Sequence, residues 1–199
     1  MEIYITIIIV SILLLFFLIA GISNKSQSTY ETPWRRAGRI GEEEVTQIIR
    51  MAMRDDDRLF TNVEISVEDK RTELDNVIVN KYGVFIIEAK NYSGTLSGDE
   101  DDNDWEKMHI SGAGNMYCKT VENPIHQVKR HIFLLSRYLD YYGAKTWIRG
   151  YTILVENNSP VESDYVLSDV NDVDVAVHTP DRERLTPQKI EKISRLLSD

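Results

Sequence analysis

L-D-N-V-I-V-N-K-Y-G-V-F-I-I-E-A-K, residues 74–90, reads as two strands joined by a tight turn. Asp75 stands near the start of the first strand, and Glu88-Ala89-Lys90 closes the second. Side chains alternate along a strand, so Asp75, Val77 and Val79 share one face while Leu74, Asn76 and Ile78 share the other. On the second strand Val84, Ile86, Glu88 and Lys90 fall together. With Lys81 and Tyr82 as the turn tips, Asn80 faces Gly83 and Asp75 lies directly across from Glu88, at a Cβ separation of about 5 Å. A second register is open. Gly83 in the left-handed position of a three-residue loop would pair Asn76 with Glu88 and turn Asp75 to the opposite face. The apolar pattern favours the first register.

Two carboxylates and a lysine at the end of an apolar hairpin are the parts of a metal-dependent phosphodiester cutter. The carboxylates bind a hard cation, and the lysine orients or deprotonates the attacking water and offsets charge on the phosphate. The ordinary explanation stands beside this one: charged residues are common at strand ends, and E-x-K is a frequent tripeptide. Against it, Val84-Phe85-Ile86-Ile87 is apolar enough to be buried, and a buried strand that ends in Glu and Lys needs a reason for those charges.

Around the hairpin, five blocks follow in order: G-R-I-G-E at 38–42, L-D-N-V-I-V at 74–79, Y-G-V-F-I-I-E-A-K-N at 82–91 with Gly94, Trp105, and N-P-I-H-Q at 123–127. This segment, from Gly38 to about Leu139, resembles the NERD (nuclease-related) domain, a proposed member of the PD-(D/E)xK nuclease superfamily. The resemblance implies an α/β fold with a restriction-endonuclease-like αβββαβ core, a mixed sheet flanked by helices. It implies active-site positions for Asp75, Glu88 and Lys90, and supporting roles for Glu42 on the first helix and Gln127 on the later one. One departure is visible. Nucleases of the RecB type often carry a Gln followed four residues later by Tyr, and His131 occupies that place here.

With 199 residues the chain is long enough for one ordinary domain plus attachments. Its formal charge is −9, and Glu2 is the single charged group in the first twenty residues, so the acidity belongs to the rest. Such a chain does not hold DNA by bulk electrostatics, and any grip must come from local basic patches. Lys129-Arg130-His131 with Arg137 is one candidate, and Trp34-Arg35-Arg36 with Arg39 another; a solvated helix face or a membrane-flanking cluster is the simpler explanation of both. The single cysteine, Cys118, excludes an internal disulfide and a cysteine-based zinc site within one chain. The four histidines (His109, His126, His131, His178) show no metal-ligand spacing, since the loose pair His126 and His131 splits across helix faces.

Ile3 to Ala20 is an uncharged apolar stretch, about 27 Å long as a helix at 1.5 Å per residue, which just crosses a bilayer. No positive region precedes it and no clear small-x-small cleavage site follows, which argues against a cleaved signal peptide. Lys25, Arg35, Arg36 and Arg39 follow it, so the positive-inside rule places the remainder in the cytoplasm. The expected organisation is a transmembrane anchor at 1–21, a polar tether at 22–37 with an interfacial Trp34, and a nuclease-like domain at 38–199.

Within that domain a helix is expected from about Gly41, with Val45, Ile48, Ile49 and Ala52 on one face. Glu42, Glu43 and Glu44 suit its first turn through the helix dipole alone, so only the resemblance singles out Glu42. Leu59–Val67 reads as the first strand. Ser97–Asp104 is acidic, but it lacks the glycine and glutamate spacing of an EF-hand and reads as a solvated loop. Asn123-Pro124 starts a long helix with Ile125, Val128, Ile132, Leu135 and Leu139 as its buried stripe, Gln127 off its centre, and Gly143 beyond its end. Tyr151–Val155 and Val173–Val177 read as further strands, and Thr186–Leu197 as a final helix. The sequence thus points to a membrane-anchored, cytosol-facing hydrolase of DNA or RNA phosphodiester bonds that uses Mg²⁺ or Mn²⁺. Asp75, Glu88 and the Ala89 carbonyl would hold the metal, Lys90 the water, Glu42 a second metal or water, and Gln127 would brace the site. A non-catalytic tethered binding module of the same fold, or a scaffold in which Asp75, Glu88 and Lys90 form only an ion-pair network, are the competing readings.

Overall fold

A computed structural model describes residues 32–157, 161–182 and 184–198. The chain runs α1 (Pro33–Ala52), β1 (Arg58–Val67), β2 (Lys70–Asn80), β3 (Gly83–Ser97), β4 (Asp104–Ile110) and β5 (Met116–Glu122). It continues with α2 (Pro124–Tyr141), β6 (Ile148–Asn157), β7 (Val166–Leu167), α3 (Val170–His178) and α4 (Pro187–Leu196). The αβββαβ order is present, with β4 and β5 inserted before α2.

The hairpin adopts the first register. Asn80 faces Gly83, Val79 faces Val84, Val77 faces Ile86 and Asn76 faces Ile87. Asn80 Oδ1 braces the two-residue turn by accepting from the Tyr82 N–H at 2.8 Å. β1 joins β2 antiparallel, while β6 joins β3 parallel, from Val84 opposite Ile148 to Asn91 opposite Val155. The sheet is therefore mixed.

Each face of the sheet buries its own apolar layer. Val77, Val79, Val84 and Ile86 pack with Leu134, Leu135 and Leu139 of α2 and Ile193 of α4. On the other side Ile78, Phe85, Ile87, Ala89 and Ile153 pack with Val45 and Ile49 of α1 and Val173 and Val177 of α3. Helices on both faces are what a strand apolar on both sides requires.

Strict alternation fails where β1 and β2 approach the site. Phe60, Val63 and Ile65 all pack on the α2 side, as do Leu74, Val77 and Val79. Both strands thus switch faces near Asn62 and Asp75. Asn62 has a φ of 53°, in the left-handed region, which redirects the strand as a bulge residue does. Asp75 sits at a kink, not on the flat face that alternation assigned to it beside Val77 and Val79.

Three other expectations change. α1 begins at Pro33, inside the expected tether; its first turns carry exposed side chains, Trp34 among them, so no apolar stripe marks them as helix. Val173–Val177 is helical: V-D-V-A-V alternates like a strand, but the Asp169 side chain caps the segment by accepting from Asp172 N, and Val173 and Val177 reach the core four residues apart. The β4–β5 hairpin lies beyond the expected loop at Ser97–Asp104, in a stretch to which the sequence assigns no element. It is held by a third small core of Leu96, Trp105 and Ile125, and by Gly94, whose φ of 110° and close approach to the Met108 carbonyl leave no room for a side chain.

The described residues from Trp34 onward form one compact unit. Among the described residues no helix is long and apolar enough to cross a membrane. The expected anchor at 3–20 lies outside them.

Candidate active site

β2 and β3 converge on the site from the sheet. One step beyond the last paired residues, Asn76 and Ile87, the register sets Asp75 opposite Glu88. Asp75 Oδ2 accepts from the Ala89 N–H at 2.8 Å. The N–H and C=O of one strand residue point toward the same neighbouring strand, so the Ala89 carbonyl also points to the Asp75 side. The Glu88 carbonyl points the other way and accepts from Thr152 Oγ1 at 3.2 Å.

α2 closes over Glu88. Glu88 is 1 % exposed, and its Oε1 accepts from Lys90 Nζ at 2.8 Å and from Gln127 Nε2 at 2.5 Å. Oε2 faces His131 Nδ1 at 3.2 Å, but neither atom completes a hydrogen bond. Nε2 of His131 lies 3.2 Å from Thr72 Oγ1. Gln127 and His131 reach one carboxylate because four residues make about one helical turn.

Burial pushes the Asp75 carboxyl up to about 7, and the negative charge of Glu88 pushes in the same direction. The Ala89 N–H and Lys90 oppose that shift, while Glu42 adds to it. Burial also works against Glu88, yet the contacts with His131 and Lys90 outweigh it and hold Glu88 below the usual carboxylate range. Lys90 loses solvation, but Glu88 and Asp75 more than compensate and keep it firmly charged. The result is one ionised carboxylate, one lysine, and a second carboxylate that is protonated or charged according to small changes of environment. Perturbed groups of this kind concentrate at functional sites.

Among the described residues no group of three or more His, Cys, Asp and Glu side chains is placed to hold a metal. Two carboxylates with one backbone carbonyl still suit a Mg²⁺-type ion, which keeps several waters and takes only one or two carboxylates. The Glu88 oxygen without a hydrogen bond and the proton held at Asp75 near neutral pH mark where positive charge would be favourable. Glu42 is exposed on α1; its charge reaches Asp75, but it makes no hydrogen bond or ion pair with Asp75, Glu88 or Lys90.

The model of the nuclease-related domain matches residues 37–155, more than half of the chain. This chain belongs to the NERD (nuclease-related domain) family. No curated protein and no solved structure matches it. The NERD span runs from α1 to β6 and contains Asp75, Glu88, Lys90, Gln127, His131 and Glu42.

His131 is the residue the sequence did not assign to the NERD site. The sequence groups it with Lys129, Arg130 and Arg137 as a basic patch, but it is 3 % exposed and faces Glu88. Its spacing from Gln127 was the available signal. The patch itself is dispersed, since Lys129 pairs with Glu100 and Arg137 with Glu68.

Proposed function

We propose that this NERD domain hydrolyses phosphodiester bonds of DNA or RNA with Mg²⁺ or Mn²⁺. The observation that carries the reading is the meeting of Asp75, Glu88 and Lys90 beyond the last pair of the β2–β3 ladder, with Asp75 shifted to about 7. A hard divalent cation bound by Asp75, Glu88 and the Ala89 carbonyl would supply Lewis acidity and a more acidic water.

The chain's own groups do the rest. Lys90, charged and only partly exposed, orients the attacking water and offsets charge building on the phosphate oxygens. Gln127 fixes one oxygen of Glu88 by donating to it, and His131 stands against the other, so the carboxylate is held in one orientation. Glu42 adds negative field at Asp75 and suits a second cation or a water-orienting role. Residues 3–20 would tether the domain to the cell membrane, with the domain facing the cytoplasm.

The Lys90–Glu88 contact at 2.8 Å also suits a purely structural ion pair. Incubating the full chain in detergent with labelled single- and double-stranded DNA and RNA, with Mg²⁺, Mn²⁺ or EDTA, separates the two readings. Cleavage that requires metal supports hydrolysis. Neither cleavage nor any effect of metal on stability assigns the cluster to structure.

A further inference from the structure

The β4–β5 hairpin carries two faces of different chemistry. Its paired rows alternate, and one face bears Trp105 with Val121, then Lys107 with Lys119, then His109 with Tyr117. Trp105 is wholly buried in the third core, so this face is turned toward the domain at its base and runs outward to the exposed tip. It carries no acidic residue, in a chain with 32 acids and 23 bases.

Lys107 and Lys119 stand directly opposite one another. Like charges so placed repel and weaken the pairing of the strands. No ion pair to either is formed among the described residues, although Lys107 Nζ comes within 3.4 Å of Ser93 Oγ. Burial and the Lys119 charge hold Lys107 below the usual lysine range, and Glu156 offsets this only in part.

Lys107 is linked to the candidate site through Tyr92. β3 continues from Lys90 through Tyr92, whose hydroxyl feels the Lys90 charge and reaches the Glu122 carbonyl at the end of β5 at 3.2 Å. Lys107 Nζ is 5.9 Å from the centre of the Tyr92 ring. A line of cations thus leaves the site along β3 and climbs the hairpin: Lys90, Lys107, Lys119. Ammonium groups that repel one another and form no ion pair are satisfied by an anion bound between them, and phosphate oxygens accept from them in charge-assisted hydrogen bonds.

We propose that the face of the β4–β5 hairpin bearing Lys107 and Lys119 grips the phosphate backbone of the nucleic acid whose phosphodiester bond lies at Lys90. The hairpin is the substrate clamp of a chain too acidic to hold a polyanion otherwise, and the identity of its occupant rests on the nuclease reading above. Exposed His109 and Tyr117 continue the same face with rings suited to stacking on bases.

The test uses the full chain in detergent, binding labelled single- and double-stranded oligonucleotides with Ca²⁺ in place of Mg²⁺, across a salt series. Lys107→Ala/Lys119→Ala should bind about tenfold or more weakly near physiological salt, and the slope of log K against log salt should fall by about 1.4–1.8, two phosphate contacts' worth. Lys145→Ala, an exposed lysine remote in sequence from the hairpin, should match wild type. Stability should move in the opposite direction: relief of the Lys107–Lys119 repulsion should leave Tm equal or higher, and Lys119→Glu should raise Tm while also weakening binding. Loss of Tm in both variants would show a structural role and overturn the clamp. So would a wild type that binds and cleaves while the double variant matches its affinity and slope. A wild type that binds through the lysines but cleaves nothing in Mg²⁺ or Mn²⁺ upholds the clamp and removes the nuclease reading. A wild type that binds no oligonucleotide overturns both.

Discussion

Asp75 and Glu88 compete for one supply of positive charge, and Lys90 goes to Glu88. Asp75 then holds its proton up to about pH 7 against an ordinary value of 3.8. A raised carboxyl pKa favours the folded state most at low pH. Between these two values the unfolded chain has released the proton and the folded chain keeps it, so stability falls as pH rises through that window and levels off above it. In EDTA at pH 8, Asp75→Asn should therefore be more stable than wild type, by about 1–4 kcal/mol. Asparagine keeps an acceptor for the Ala89 N–H without the charge. With Mg²⁺ the order should narrow or reverse, because wild type gains stability from the ion and the variant does not. Thermal melts at pH 5 and pH 8, with and without metal, decide the matter; a variant that melts like wild type under all four conditions would show that no proton is held there. His131→Phe should cost about 1–3 kcal/mol in urea unfolding, because the close contact that helps hold buried Glu88 ionised is then lost. Unchanged stability would mean that the 3.2 Å approach contributes nothing.

At the scale of elements, the register of the hairpin decides whether a site exists, and that register was legible. A two-residue turn, an apolar run on each strand and a one-to-one pairing from Asn80 and Gly83 left Asp75 facing Glu88. The kink at Asn62 was not legible, because a left-handed φ at asparagine leaves no mark in the apolar pattern. α3 was misread because valine and aspartate alternate along it, and the decisive signal was the single capping aspartate at 169. The β4–β5 hairpin was missed because its strands are mostly exposed on both faces, so neither alternation nor an apolar run marks them. The G-R-I-G-E block has a packing reason at its second glycine. A Cβ at Gly41 would lie 2.9 Å from the Asn91 Cβ and 3.0 Å from a Val155 methyl, so the glycine lets α1 sit directly on β3 and β6. Gly41→Val should destabilise the domain by about 1–3 kcal/mol and, by lifting α1, weaken the influence of Glu42 on Asp75. Urea unfolding checks the first effect, and a Gly41→Val domain as stable as wild type would show that α1 has room to shift.

At the scale of the molecule, a charge of −9 and an affinity for polyanions coexist only if cations are concentrated where the substrate lies. A tether to the membrane would add a geometric limit, since substrate would have to come to the bilayer surface. A cytoplasmic reporter fused after Asp199 should be active and an exported-type reporter silent; the reverse would place the domain on the other side. The most direct measurement is cleavage of labelled DNA and RNA by the full chain and by Lys90→Ala, side by side, with Mg²⁺, Mn²⁺ and EDTA. Metal-dependent cleavage by wild type that falls by about 10²–10⁴ in Lys90→Ala, with Tm preserved, is the expected result. Cleavage unaffected by loss of Lys90 or by EDTA, or no cleavage of any nucleic acid by wild type in either metal, would contradict it.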